Sequence, residues 1–214
     1  MALIDKLQAF SELKKIEFTV DILTKEFEDI AKTLLYDGYI LVRNDYRIYI
    51  RTVEFYFHAE KDSNIHIFDP IVYHRSGRFP GRTIPYFPLM TLHAHMSGFD
   101  ITFENESQKY RASALIREYA IYDNQGNFIE TKTGHKYDDR STFLYDFVNG
   151  FSMMEGKNDI LWVDEITTAN RELKKPSLPR VNVYRYNYAY KETGKEVMEK
   201  TKERDTRPWR FTKA

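Results

Sequence analysis

The chain has 214 residues, 42% apolar and 15% aromatic, which is long enough for one substantial domain and too hydrophobic for a disordered one. No apolar run approaches the roughly 20 residues that span a bilayer, and the N-terminal "MALIDKLQAF" lacks the uninterrupted apolar stretch of a signal peptide, so a cytoplasmic protein with no membrane partner is expected. The absence of cysteine excludes disulfides, thiolate nucleophiles and cysteine-ligated zinc or iron–sulfur sites. Formal net charge is zero, but residues 174–214 hold 12 Lys and Arg against 5 Asp and Glu, so the C-terminal part is basic and the remainder acidic.

In chain order, Leu3, Leu7, Phe10 and Leu13 recur at helical spacing and predict an N-terminal helical extension over residues 1–16. A second helix carries Leu23, Phe27, Ile30, Ala31 and Leu34 on one stripe, with Thr19 or Asp21 as its cap and Gly38 placed as a C-terminal glycine. "YILVR" and "RIYIRTVEFYF" around "NDY" read as a β-hairpin. Strict alternation puts Ile48, Ile50, Thr52, Glu54 and Tyr56 on one face and Tyr49, Arg51, Val53, Phe55 and Phe57 on the other. Both faces are apolar enough to be covered, which makes Glu54 conspicuous. A covered carboxylate is either salt-bridged across the sheet or used as a general base. The strand alone leaves these two readings even.

The loop 69–88 is rich in Pro, Gly and Arg, and its Arg75, Arg78 and Arg82 are expected to face phosphate. Further strands are predicted at "TLHAH", "GFDITFEN", "RASALIREYAIYD", "NFIETKTG" and "ILWVDEI", with a helix over residues 141–154. His93 and His95 alternate on one strand and could form a metal pair, but no metal-ligand spacing accompanies them and no metal is expected. The strand "RVNVYRYNYAYK" places Tyr184, Tyr186, Tyr188 and Tyr190 on one face, which packing against a helix would explain. Residues 192–214 form a basic C-terminal segment. No P-loop, dinucleotide-binding glycine pattern or GxSxG elbow occurs. These elements predict a single α+β domain, a curved and mainly antiparallel sheet with flanking helices.

The order of these pieces resembles the methylpurine (alkyladenine, 3-methyladenine) DNA glycosylase family over almost the whole chain. "IAKTLLYDGYILVR" is similar to the family's "LAxxLLGxxLVR", and "IRTVEFYFHAE" is similar to "RIVETEAY". That likeness implies that Glu54 is the catalytic base and that Tyr56 stacks on the substrate base. By the same likeness, "SNIHIF" supplies His66 to the base pocket and "TLHAH" supplies His95 in place of a tyrosine. "SGFDITF" places Asp100 where the family has asparagine, and "SALIRE", similar to "VLLRALEP", puts Arg117 on the active-site arginine. "LPRVNV" and "RPWRF" are similar to the closing elements "PRIGI" and "PWRF". The wedge hairpin is shortened to "HMSG", leaving Met96 as the side chain that would enter DNA.

The resemblance implies a monomeric base-excision enzyme acting on duplex DNA with damaged purines. Base flipping would deliver an alkylated or deaminated purine to the pocket, and Glu54 would activate a water for attack at C1′. No lysine matches a Schiff-base position, so no lyase step and no cofactor are implied. The alternatives are the same fold as a catalytically inactive module binding nucleic acid or a protein partner, and a metal-dependent hydrolase built on His93 and His95.

Overall fold

A computed structural model describes residues 1–13, 18–61, 63–79, 81–95, 98–133, 153–154, 160–165, 170–190 and 196–214. The expected helix over 141–154 and the wedge residue Met96 fall almost wholly or wholly outside the described residues.

Two helices form where the apolar stripes predict them, α1 (Leu3–Glu12) and α2 (Val20–Tyr36). The Thr19 hydroxyl accepts from the Ile22 amide at 3.2 Å, satisfying one orphan donor at the start of α2. Its buried stripe of Leu23, Phe27, Ile30, Ala31 and Leu34 faces the sheet. α1 packs into the core: Leu3, Leu7 and Phe10 are at most 1% exposed, and Phe10 packs against Phe27, Phe57 and Phe103.

The strands are β1 (Gly38–Val42), β2 (Tyr46–Ala59), β3 (Thr91–His95), β4 (Gly98–Thr102), β5 (Tyr110–Asp123), β6 (Phe128–Thr133), β7 (Ile160–Asp164), β8 (Tyr184–Tyr190), β9 (Glu196–Arg204) and β10 (Arg210–Thr212). The fold is α+β, with a curled antiparallel sheet forming a half-barrel in the order β3-β4-β5-β2-β1-β7. Two long strands, β2 and β5, form its spine. At one end β5 pairs with β4 and β2 with β10; at the other, β5 pairs with β6 and β2 with β1. Arg43 and Asn44 turn the β1–β2 hairpin in the left-handed region, at φ 52° and 59°. Gly38 lies just past the Asp37 C-cap of α2, as expected, but its backbone is not left-handed. A Cβ there would lie 2.5 Å from both Trp162 Cζ2 and the Val163 carbonyl of β7, so close strand approach requires the glycine.

The strict alternation expected of β2 fails in its middle. Arg51 of β2 and Arg117 of β5 are each an extra residue: Ile50 faces Tyr119, Thr52 faces Glu118, and Val53 faces Ile116. These facing bulges cancel in register but reverse which side of the strand each later residue occupies. Ile48 and Ile50 therefore share the helix-facing core with Val53, Phe55, Phe57 and Ala59, rather than with Glu54. Glu54 and Tyr56 turn to the opposite face. The core face closes on aromatic contacts, Phe27 stacking on Phe55 at 4.6 Å and meeting Trp209 edge-on at 5.1 Å.

Candidate functional site

The sheet face away from the helices is polar. Pairing aligns Arg210, Glu54, Leu115, Asp100 and His93 in one row across five strands. With strands about 4.8 Å apart, the backbones of Glu54 and Asp100 stand about 10 Å apart on one face. Between and above them lies a cleft of about 450 Å³, lined by Tyr56, Tyr73, Arg78, His95, Asp100 and Arg117 and closed on one side by the segment 181–183. That volume falls within the range of small-molecule sites.

Glu54 sits fully buried at the base of this arrangement. Its Oε2 accepts from Arg117 Nε and Nη2 at 2.8 and 2.7 Å and from the Tyr56 hydroxyl at 3.0 Å. Its Oε1 accepts from the Val181 amide at 2.8 Å, and Arg210 Nε stands 3.9 Å away. The bulge at Arg117 aims the guanidinium at Glu54. Burial works against the charged guanidinium, yet Glu54 and Tyr56 outweigh it and raise the Arg117 pKa. Burial and the charge of Glu54 together push the Tyr56 phenol up, so Tyr56 stays a neutral donor. Glu54 is thus salt-bridged, and it lies directly behind Tyr56 and Arg117, which line the cleft.

On the far wall, Asp100 Oδ2 lies 3.0 Å from His95 Nε2 and 3.7 Å from His74 Nε2. Burial alone would raise the Asp100 carboxyl, but His95 first and then His74 hold it below the ordinary aspartate value. Tyr73 stacks on the His95 ring at 4.9 Å and an interplanar angle of 17°. Burial lowers His93 to about 4, leaving it neutral at pH 7. Among the described residues, no three His, Asp or Glu converge as a metal-binding group.

Five residues expected in the pocket or at the reaction centre, Glu54, Tyr56, His95, Asp100 and Arg117, converge here. His66 does not: it is exposed and borders a separate cleft with Phe68, Tyr186 and Arg207. His74 is the histidine that reaches the site, 1% exposed and paired with Glu104 as well as Asp100. Of the three loop arginines, Arg82 is exposed and Arg78 borders the cleft, with its guanidinium 5.9 Å from the Tyr73 ring. Arg75 is turned inward instead. It is 1% exposed and donates to the Pro70 and Ser76 carbonyls at 2.7 and 2.9 Å, so it braces the loop and cannot meet phosphate.

Arg180 went unread in "LPRVNV". It is buried, bonded to Asp69 and Asp205, and stands 4.6 Å from the Tyr56 ring and 5.2 Å from that of Trp209, fixing the Tyr56 ring from behind. Tyr188 of the β8 tyrosine stripe packs on β2 and its following loop, not on a described helix. Tyr188 lies edge-on to His58 at 5.2 Å and against Phe68 at 5.1 Å, so the β8–β9 hairpin covers the polar face beyond Tyr56. Compared with models of known families, with curated proteins and with solved structures, the chain matches none. No helix among the described residues is long and apolar enough to cross a membrane.

Proposed function

We propose that the protein is a monofunctional DNA glycosylase, hydrolysing the N-glycosidic bond of a flipped alkylated or deaminated purine. The observation that carries this reading is the convergence of Tyr56, His95, Asp100 and Arg117 on one base-sized cleft with Glu54 directly behind Tyr56 and Arg117, five residues that the resemblance assigned from four separate strings of sequence. The damaged base occupies the space between Tyr56 and the Tyr73–His95 stack. Asp100 faces it with a carboxylate, which favours a purine made cationic by alkylation. A water enters beside Glu54 as Arg117, whose side chain is 19% exposed, yields part of its hold on Oε2. The water oxygen attacks C1′, the C1′–N bond breaks with its electron pair leaving on the purine, and Glu54 takes the water's proton. The carboxylate also stabilises the positive charge developing on the sugar. The enzyme acts as a monomer on duplex DNA, in the cytoplasm and without a cofactor.

The test is release of free base from duplex DNA containing 7-methylguanine or hypoxanthine. Wild-type protein is expected to release base and Glu54→Gln to release none while still binding the duplex. Undiminished release by Glu54→Gln would remove the reading. A second reading, a binding module without catalysis, draws on the full burial of Glu54 and the donors on both its oxygens. Wild-type protein that binds the duplex but frees no base would favour it.

A further inference from the structure

The other end of the same polar sheet face carries a second constellation, made of rings and cations. Tyr39 of β1, Tyr49 of β2, Tyr122 of β5 and Phe128 of β6 form a chain of ring contacts across four strands, with centroids 5.3, 5.3 and 5.5 Å apart. Phe128 is 56% exposed. Arg47, Arg51 and Lys213 border a groove of about 400 Å³ together with Tyr49 and Tyr122. The Lys213 amide donates to the Arg51 carbonyl at 2.9 Å, which sets these two cationic residues side by side.

An aromatic ladder by itself needs no ligand, since cross-strand ring pairs stabilise a sheet. The cations are what that account leaves over. Arg47 donates to the Asn124 carbonyl at 3.4 Å and lies 5.5 Å from the Tyr39 ring, and Lys213 lies 4.3 Å from the Tyr36 ring, but none of Arg47, Arg51 and Lys213 has a salt bridge among the described residues. Glu165 accepts from the Tyr49 hydroxyl at 3.1 Å, Glu118 lies 3.4 Å from the Thr52 hydroxyl, and Asp123 accepts from Asn127. Burial first, and then the charge of Arg51, lowers the Lys213 pKa against the opposing pull of Glu165, so Arg51 and Lys213 repel each other across the groove. Cations held together over exposed rings match a ligand that alternates negative charge with flat, stackable groups.

We propose that this groove binds a single nucleic-acid strand, its phosphates on Arg47, Arg51 and Lys213 and its bases against Tyr49, Tyr122 and Phe128. It is a separate site from the cleft: Tyr49 lies five residues along β2 from Glu54, about 16 Å at strand rise. It does not depend on base release at Glu54.

The test is fluorescence anisotropy of a labelled oligothymidylate at low salt, with an oligouridylate of equal length to separate DNA from RNA. The wild-type protein is expected to bind, with log affinity falling against log salt at a slope of about −2 for three neutralised phosphates. The double variant Arg51→Glu/Lys213→Glu, its fold checked by circular dichroism, is expected to bind more than about tenfold more weakly and with a shallower slope. Tyr122→Ala is expected to lose about tenfold, with its fold checked by circular dichroism. Glu54→Gln should bind the strand as wild type does, whatever it does to base release. Unchanged affinity in the charge-reversed variant would overturn the proposal, as would no binding by the wild type. Displacement of the strand by inorganic phosphate at comparable concentration would also overturn it, reassigning the groove to a small anion.

Discussion

Truncating Arg117 would leave Glu54 buried with the Tyr56 hydroxyl and the Val181 amide bonded to it and Arg210 Nε 3.9 Å away. Breaking one side of a buried ion pair is costly, so Arg117→Ala is expected to lower stability by about 3 kcal/mol, read from a urea titration. A loss within error would mean that the carboxylate relaxes to water more easily than its burial implies. Asp100→Asn removes the anion from the cleft wall while keeping its shape. Release of 7-methylguanine is expected to fall about tenfold relative to release of hypoxanthine, because only the cationic purine loses an attraction; an unaltered ratio would take Asp100 out of substrate choice. At this scale much of the site was legible. Glu54, Tyr56, Asp100 and Arg117 stand at fixed places on strands, and strand pairing carries them together. His66 was misjudged because it precedes a long irregular loop, where nothing local says which of His66 and His74 folds inward. The Val181 contact is made by a backbone amide and leaves no side-chain signal at all.

Along β2, alternation misled where it was most trusted. "IRTVE" contains no glycine to mark a bulge, and the reversal of faces follows from the extra residues Arg51 and Arg117 on either side of the Thr52–Glu118 pair, on strands distant in sequence. Single-strand periodicity cannot register a pairwise event of that kind. The strand's existence, its length and the hairpin before it were readable because β-branched and aromatic residues dominate both runs. β9 was not foreseen: "EVMEKTKER" is charged and exposed, and it is a strand because β8 pairs with it. Gly38 gives the sharpest test at this scale. Gly38→Ala would press a methyl group into Trp162 and the β7 backbone, and about 1–3 kcal/mol of destabilisation is expected from thermal denaturation. No change in melting temperature would mean that β7 can withdraw without penalty.

Across the whole molecule, Arg180 ties the loop at Asp69 to the C-terminal segment at Asp205. Burial works to raise the Asp205 carboxyl, but hydrogen bonds from Arg207 and the charges of Arg180 and Arg207 outweigh it and hold the pKa at about 2. The folded value lies below the unfolded one, so this contribution is fully present above about pH 4 and is lost as pH falls towards 2. Asp205→Asn should therefore be less stable than wild type at pH 7, with the difference shrinking between pH 4 and 2. A constant difference over that range would sever the link between this carboxylate and acid sensitivity. The α+β class and the curved antiparallel sheet followed from the alternation of periods along the chain. Both ends of the single chain are packed into the fold: α1 lies in the core, and β10 is a paired strand of the sheet.

Apart from Tyr56, every group that holds Glu54 comes from far along the chain: Arg117 is 63 residues away and Val181 is 127. A ribosome adding about 5–20 residues per second delivers these partners seconds apart. The carboxylate therefore begins life in water and loses its hydration in stages, first against β5 and last against the C-terminal segment. A nascent chain stalled before residue 181 would hold Glu54 and Arg117 but lack the wall that seals them, an incomplete pocket on an otherwise recognisable sheet.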